Sequence, residues 1–142
     1  MNYQIFLAPL LLIPVAAQAV CFDQASRRYG IHPDLLRAIS RVESNGNIRA
    51  INRNGNGSRD IGHMQINSSW LPKLAKYGIT EQSLFDPCTN TLVGAWVLAR
   101  NFRELGYNWN AIGAYNAKSP GKREVYAKKV ASALRSFRGD EK

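Results

Sequence analysis

The sequence predicts a single, mainly α-helical domain with a small loop or β-hairpin region between its helices. A chain of 142 residues, of which 45% are apolar, is long enough for one hydrophobic core. Apolar residues recur at helical spacing in several segments, whereas the segment from Asn45 to Asp60 is rich in Asn, Gly, Ser and Arg. No internal repeat or interdomain linker interrupts the pattern, so we expect one α+β domain.

Two helices are predicted at the start of this domain. Phe22 to Tyr29 forms the first, and Gly30 is typical of its C-terminal cap. Pro33 and Asp34 suit the first turn of the second helix, where proline is tolerated and an acidic residue meets the positive end of the helix dipole. The core-facing stripe of this second helix comprises Leu35, Leu36, Ile39 and Val42.

Glu43 continues that apolar stripe at the carboxyl end of the second helix. It follows Leu36 by seven residues and Ile39 by four, so it lies on the same face. Burial and the negative end of the helix dipole both disfavour the carboxylate and raise its pKa. A carboxyl group that stays protonated near neutral pH is suited to general acid catalysis. Spacing alone favours the alternative, an exposed Glu at a frayed helix end.

The middle of the chain is less regular. Asn54-Gly55 and Asn56-Gly57 are turn dipeptides, and Asp60 after them is most simply a turn or capping residue. Residues 61–66 alternate only partly, so neither strand nor helix is favoured there. Asn67 or Ser68 is expected to cap a helix that runs to about Tyr77, with Gly78 ending it.

Three further helices are predicted in the second half. Asp86-Pro87 begins a long helix that ends at Gly106, Ala111 to Ala117 forms a short helix, and Lys122 to Phe137 forms the last. The apolar stripe of the long helix comprises Leu92, Ala95, Trp96, Ala99, Phe102 and Leu105. The last helix is expected to turn Val125, Tyr126, Val130, Ala133 and Leu134 inward and to leave a basic outer face.

Residues 1–19 are predicted to be a signal peptide. An apolar run from Ile5 to Ala17 is short for a membrane span and ends in the small-residue pattern Ala17-Gln18-Ala19, although no Lys or Arg precedes it. A buried N-terminal helix is the alternative. We therefore expect an exported, periplasmic protein without a membrane anchor, with a domain over residues 20–138 and a short tail over 139–142.

The net charge indicates the kinds of molecule that the protein binds, and the cysteine content bears on disulfide and metal binding. Nineteen Lys and Arg against ten Asp and Glu give a net charge of +9, which favours nucleic acid, anionic lipid or an acidic cell-wall polymer. In an oxidising compartment Cys21 and Cys88 favour one disulfide, with two separate buried thiols as the alternative. Together with His32 and His63 they show no metal-site spacing. We expect neither a metal nor another cofactor.

Four short motifs, taken in order, resemble the catalytic domain of soluble lytic transglycosylases. They are Glu43-Ser44 at a helix end, the segment Gly62 to Asn67, the tetrapeptide Ala114-Tyr115-Asn116-Ala117, and Tyr126 in the last helix. Each motif is weak, but the ordered set spans nearly all of residues 20–138. The resemblance implies a lysozyme-like fold in which the hairpin region forms one side of a cleft.

The resemblance also implies roles for individual residues. Glu43 would protonate the glycosidic oxygen between N-acetylmuramic acid and N-acetylglucosamine, and then act as the base that closes a 1,6-anhydro ring. Gln65, Tyr115 and Asn116 match cleft positions, Ser44 has a supporting role, and Asn67 is a further cleft candidate. His63 replaces a residue that is usually apolar and Lys118 replaces a common Gly, so both are expected to reshape a cleft wall.

Asp60 indicates a second possible reaction, hydrolysis of the glycan. The run from Asp60 to Ser68 also resembles the active-site hairpin of animal lysozymes, in which an Asp precedes the Gly-x-x-Gln-Ile-Asn segment. Lysozyme is the standard example of a protonated Glu that works beside an ionised Asp. Asp60 is therefore a candidate second catalytic carboxylate, with a turn-stabilising role as the alternative, and a hydrolytic muramidase is the alternative enzyme.

The short chain resembles the specialised transglycosylases that accompany type III or type IV secretion systems, conjugation machinery or pili. Such an enzyme opens peptidoglycan locally, and we expect a monomer whose partners are glycan strands and an apparatus component rather than nucleic acid. The alternative from another class is a non-catalytic exported protein that binds polyanions or peptidoglycan, since the net charge is +9.

Overall fold

The computed structural model describes residues 20–139, so the predicted signal peptide and the last three residues lie outside the described part. The mainly helical prediction is confirmed. The helices are α1 (Phe22–Tyr29), α2 (Pro33–Ser44), α3 (Leu71–Leu74), α4 (Pro87–Leu105), α5 (Trp109–Gly113) and α6 (Pro120–Gly139). No helix within residues 20–139 combines the length and hydropathy needed to cross a membrane.

Local sequence signals set the ends of α1 and α2. Gly30 ends α1 in the left-handed conformation, with φ of 65°. The His32 side chain caps α2 by accepting a hydrogen bond from the Asp34 amide at 3.2 Å, and Asn45 ends α2 with φ of 55°. The helix packs against α1, α4 and α6, and the fully buried Leu36, Ile39, Ile61, Met64 and Leu98 belong to one core.

The segment between α2 and α3 is a three-stranded antiparallel sheet in the order β1 (Ile51–Arg53), β2 (Arg59–Ile61) and β3 (Ile66–Asn67). The expected hairpin is therefore confirmed, and residues 62–65 form the turn between its second and third strands. The register pairs Asp60 with Asn52 on one side and with Asn67 on the other. Three polar side chains are thereby placed in a row across one face of the sheet.

Two predicted helices have different limits. The helix expected up to Tyr77 is short α3 flanked by 3-10 turns, because Pro72 in its first turn lacks the amide that a helix from Asn67 would need. The short helix expected over 111–117 begins earlier, since the Asn108 side chain caps it by accepting from the Ala111 amide at 2.9 Å. It ends at Gly113, which leaves residues 114–117 in turns.

The last helix also differs from its prediction. It begins at Pro120, which suits a first helical turn, and extends to Gly139. Tyr126 and Val130 face inward as expected, but Val125 is 58% exposed. Consecutive helical residues point about 100° apart, so a helix that buries Tyr126 turns Val125 toward solvent.

The predicted disulfide between Cys21 and Cys88 is confirmed. It joins the residue before α1 to the first turn of α4 across a sequence separation of 67 residues. Closing a loop of this length restricts the unfolded chain, which corresponds to roughly 4 kcal/mol of stability in the chain-entropy model.

We expect the double substitution Cys21→Ser/Cys88→Ser to lower the free energy of unfolding by roughly 4 kcal/mol, because the unfolded chain regains that freedom. Urea unfolding followed by circular dichroism measures the change. The unsubstituted protein in excess reductant is the matched control and should lose a similar amount. A loss below about 1 kcal/mol in both samples would contradict this role.

Candidate active site

The centre of the candidate site is the carboxyl group of Glu43 in the last turn of α2. Its side chain is half-buried, which decides against the exposed, frayed helix end. The Tyr126 hydroxyl on α6 donates a hydrogen bond to Glu43 Oε1 at 2.6 Å. Since Tyr126 is itself 5% exposed and α2 packs along α6, the packing of two helices fixes this contact.

The surroundings of Glu43 raise its pKa from 4.5 to about 7. Burial is the largest cause, as the sequence predicts, because removing water disfavours the charged form. The hydrogen bond from Tyr126 and the side-chain amide of Asn116 act the other way and lower the pKa. The negative charge of Asp60 adds a smaller rise. Glu43 is therefore protonated in a large fraction of molecules near neutral pH.

Ser44 and His63 tie the end of α2 to the rest of the molecule. The Ser44 hydroxyl donates to the His63 carbonyl at 2.8 Å, and Ser40 Oγ lies 2.8 Å from His63 Nδ1. His63 Nε2 lies 3.1 Å from the carbonyl oxygen of Pro87 on α4. That oxygen can only accept, so Nε2 carries the proton and Ser40 donates to Nδ1. The Ser44 hydroxyl thus links the end of α2 to the backbone of the hairpin segment.

The expectation that His63 shapes a cleft wall is wrong. The side chain is 1% exposed, and burial lowers its pKa, so the imidazole stays neutral. Its second contact on α4 is the hydroxyl of Thr91, 3.0 Å from Nε2. His63 is a buried polar link between α2 and α4, whose hydrogen bonds offset the cost of burying a ring with two polar nitrogens. Lys118, the other departure, is an exposed residue.

The segment after His63 is held by a residue that the sequence does not single out, Asn90 of α4. Its Oδ1 accepts from the Met64 amide at 2.8 Å, and its Nδ2 donates to the carbonyls of Ile61 and Leu84, each at 2.9 Å. Gly62 passes so close to Asn90 that a Cβ there would overlap the amide, and its φ is +74°. The sequence gives no signal for this role, because α4 carries other polar residues such as Thr91 and Asn101.

Tyr115 is anchored on the same segment. Its hydroxyl donates to the Met64 carbonyl at 2.8 Å, and it sits against Gly94 of α4, where a Cβ would lie 3.0 Å from the hydroxyl. Burial and the negative charges of Glu43 and Asp60 raise the pKa of Tyr115 well above its usual value. Tyr115 is therefore a neutral group beside both carboxylates, and it does not bond Glu43 directly as Tyr126 does.

Asp60 lies in β2, not in a turn or a cap. Its carboxylate accepts hydrogen bonds from Asn54 Nδ2 at 3.0 Å and from Asn67 Nδ2 at 2.8 Å. Its charge raises the pKa of Glu43 and of Tyr115. Asp60 is therefore near enough for its charge to act on Glu43, and two side-chain amides orient its oxygens.

Gln65 and Asn67 serve the hairpin in this structure. Gln65 has a positive φ of 51°, and its Nε2 donates to the Gly62 carbonyl at 3.0 Å. Asn67 donates to Asp60 and accepts from the Ser69 amide at 3.0 Å. The exposed Asn116 contributes its amide near Glu43. Within residues 20–139 no group of three His, Cys, Asp or Glu side chains could hold a metal ion.

Comparison with known families decides what this arrangement is. Residues 20–133 match the family model described as the transglycosylase SLT domain. The chain belongs to this transglycosylase family. An inactive Glu-to-Gln mutant of the lytic transglycosylase Slt from Pseudomonas aeruginosa superposes with a TM-score of 0.65 and 25% identity. The match covers 85% of this chain but 24% of that longer chain. Membership and structure together identify a peptidoglycan lytic transglycosylase.

Relatives of similar length are found among enteric bacteria. The invasion protein IagB of Salmonella typhimurium strain SL1344 is 40% identical over 144 aligned residues, which cover 98% of this chain and 90% of IagB. The protein IpgF of Shigella flexneri is 38% identical over 130 residues, which cover 90% of this chain and 86% of IpgF. The alignments thus cover most of the length of each relative.

We expect Tyr126→Phe to raise the pKa of Glu43 further, because the lost hydrogen bond stabilises the carboxylate. We expect activity to require protonated Glu43 and therefore to fall as pH rises through about 7. The alkaline limb of kcat/KM against pH should therefore move up by about one pH unit, since a bond to a charged group is worth about 1.5 kcal/mol.

Tyr115→Phe is the matched control for this shift. Its hydroxyl bonds the Met64 carbonyl and not Glu43, so its removal should lower the rate while leaving the alkaline limb in place. An alkaline limb that stays fixed or moves to lower pH in Tyr126→Phe would contradict the assignment.

Proposed function

We propose that this transglycosylase cleaves the β-1,4 bond between N-acetylmuramic acid and N-acetylglucosamine and leaves a 1,6-anhydro end. The observation that carries the proposal is the half-buried Glu43 carboxyl group, whose pKa is raised to about 7. A group with this pKa can give a proton and take one back at the same pH, which the two steps of the reaction require.

In the first step the proton on Glu43 passes to the glycosidic oxygen. The bond from C1 of the muramic acid to that oxygen breaks, and N-acetylglucosamine leaves with a hydroxyl at C4. In the second step the Glu43 carboxylate accepts the proton of the C6 hydroxyl of the same muramic acid, while O6 bonds to C1. No water is consumed, and Glu43 ends the cycle protonated.

Neighbouring groups support these steps. The Tyr126 hydroxyl donates to one carboxyl oxygen of Glu43 at 2.6 Å, which fixes the orientation of the carboxyl group. Asn116 is exposed beside Glu43 and can reach a sugar. Tyr115 packs against Gly94 and so borders the site on the side of α4. Gln65 and Asn67 hold the hairpin wall against which a glycan strand would lie.

Asp60 is the observation that favours a second candidate, a hydrolytic muramidase. Two amides orient its carboxylate, and its charge acts on Glu43. A carboxylate in this place can stabilise the positive charge that develops at C1 as the bond breaks. Stabilising that charge helps either reaction, so Asp60 does not decide whether the C6 hydroxyl or a water attacks C1.

We infer that the enzyme is exported by the predicted signal peptide and opens the wall locally for a secretion, conjugation or pilus apparatus. The similarity to IagB, which is named an invasion protein, supports this setting. The net charge of +9 suits an acidic wall polymer. A non-catalytic protein that only binds polyanions would not need a carboxyl group held at a pKa of about 7.

Mass spectrometry of digested peptidoglycan tests the proposal. We expect muramic ends that weigh one water less than hydrolytic ends. Glu43→Gln should lower the rate by roughly a thousandfold because it removes the acid and the base. Asp60→Asn should slow the reaction by about tenfold and still yield anhydro ends. Glu104→Gln, which changes an exposed carboxylate on α4, is the control and should be fully active.

Three results would contradict the proposal. Reducing muramic ends as the main product would favour the muramidase. If Asp60→Asn produced reducing ends in place of anhydro ends, Asp60 would determine whether the C6 hydroxyl or a water attacks C1. Unchanged digestion of peptidoglycan by Glu43→Gln would show that Glu43 is neither the acid nor the base.

A further inference from the structure

A long apolar groove runs along the outer face of α4. Two adjoining cavities of about 430 and 420 Å³ form it, and they share Arg28, Tyr29 and Trp96. Helix α4 lines the groove with Leu92, Val93, Trp96, Ala99, Phe102 and Arg103, and four of these, Leu92, Trp96, Ala99 and Arg103, follow one another at spacings of three or four residues. Leu92 to Arg103 spans roughly 17 Å of helix, which is about three turns.

This groove lies on the side of α4 that is turned away from the catalytic residues. Gly94 marks the inner side, because a Cβ there would overlap Met64 and approach the Tyr115 hydroxyl to 3.0 Å. Leu92 and Trp96 are each two residues from Gly94, which places them about 200° around the helix. A molecule bound in the groove would therefore leave the Glu43 site open to substrate.

The composition of the groove is that of a protein interface. Tyr77 at one end is 73% exposed and Tyr107 at the other is 67% exposed, an unusual exposure for aromatic side chains. Among the residues that line the two cavities, the charged ones are Arg28 and Arg103, and both are cationic. Tyrosine, tryptophan and arginine are the residues enriched at the energetic centres of interfaces.

The geometry points to a docking groove for an amphipathic helix of a partner protein, with apolar residues at helical spacing and acidic residues flanking them. None of the three described strands lines the groove, so an extended peptide would find no strand edge for its backbone. A helix satisfies its own backbone groups, and its side chains at i, i+3, i+4 and i+7 match the spacing of these four α4 residues.

The positive charge of the groove favours an acidic helix over a second copy of this chain as the bound molecule. A second copy of this chain would bring the same two arginines and the same net charge of +9 to the contact, so like charges would meet. An acidic helix would instead pair with Arg28 and Arg103. That the partner is the component that localises the enzyme rests on the proposed function. Binding of an acidic helix in the groove does not depend on that function.

A synthetic helical peptide of about 18 residues, with leucines at i, i+3, i+4 and i+7 and glutamates between them, is the probe for the full chain. Matched peptides carry lysine in place of glutamate, or serine in place of leucine. Fluorescence anisotropy should show the acidic, leucine-containing peptide binding at least about tenfold tighter than either control peptide, with an affinity that falls as salt rises.

The double variant Arg28→Glu/Arg103→Glu should weaken this binding by about tenfold or more. The variant Lys129→Glu/Arg135→Glu makes the same change in net charge on exposed positions of α6 and should change it less than about twofold. Both variants should digest peptidoglycan like the unsubstituted enzyme. Glu43→Gln should keep peptide affinity, so failure of the docking groove and failure of the catalytic proposal are separate results.

Equal binding of the glutamate and lysine peptides would overturn the inference. So would equal loss in the two charge-reversed variants, or full affinity in Arg28→Glu/Arg103→Glu. Sedimentation experiments test whether the chain dimerises as its concentration rises. Dimerisation that is lost in Arg28→Glu/Arg103→Glu would assign the groove to a second copy of the chain instead.

Discussion

The hydrogen bond from Tyr126 to the half-buried carboxyl group of Glu43 is the contact on which the site depends. It exists because α2 ends where α6 packs against it, so two helices far apart in sequence supply the acid and its partner. Burial raises the pKa of Glu43 and the hydrogen bond moderates that rise. The balance leaves the pKa at about 7, where one residue can serve first as acid and then as base.

This arrangement lowers the stability of the fold. The folded state holds the proton of Glu43 more tightly than the unfolded state does, because its pKa is higher there. Removing that proton as pH rises therefore costs the folded state more and lowers the free energy of unfolding. Stability therefore declines as pH rises past 4.5 and levels off above about 7. The decline is at most roughly 3 kcal/mol, and partial exposure reduces it. Buried polar contacts of Asn90 and His63 hold the surrounding segment in place despite this cost.

Most of the fold follows from local signals that the sequence displays, such as Gly30 after α1, Asp86-Pro87 before α4 and the Asn-Gly turns of the hairpin. The position of Glu43 on an apolar stripe also predicts its raised pKa, but family resemblance is needed to separate it from an exposed Glu. Contacts across the chain are not visible in such patterns. The roles of Tyr126, Asn90 and His63 depend on atoms 24 to 83 residues away, and no local spacing encodes them.

The proposed chemistry requires Glu43 to be half-protonated near neutral pH in the free enzyme. The most direct test is a carbon-13 NMR titration of the glutamate side-chain carboxyl groups, with Glu43→Gln used to assign the signal. We predict a midpoint at about 7 for Glu43. A midpoint near 4.5, the ordinary value for a glutamate, would contradict the account, because a group ionised at neutral pH could not act as the acid.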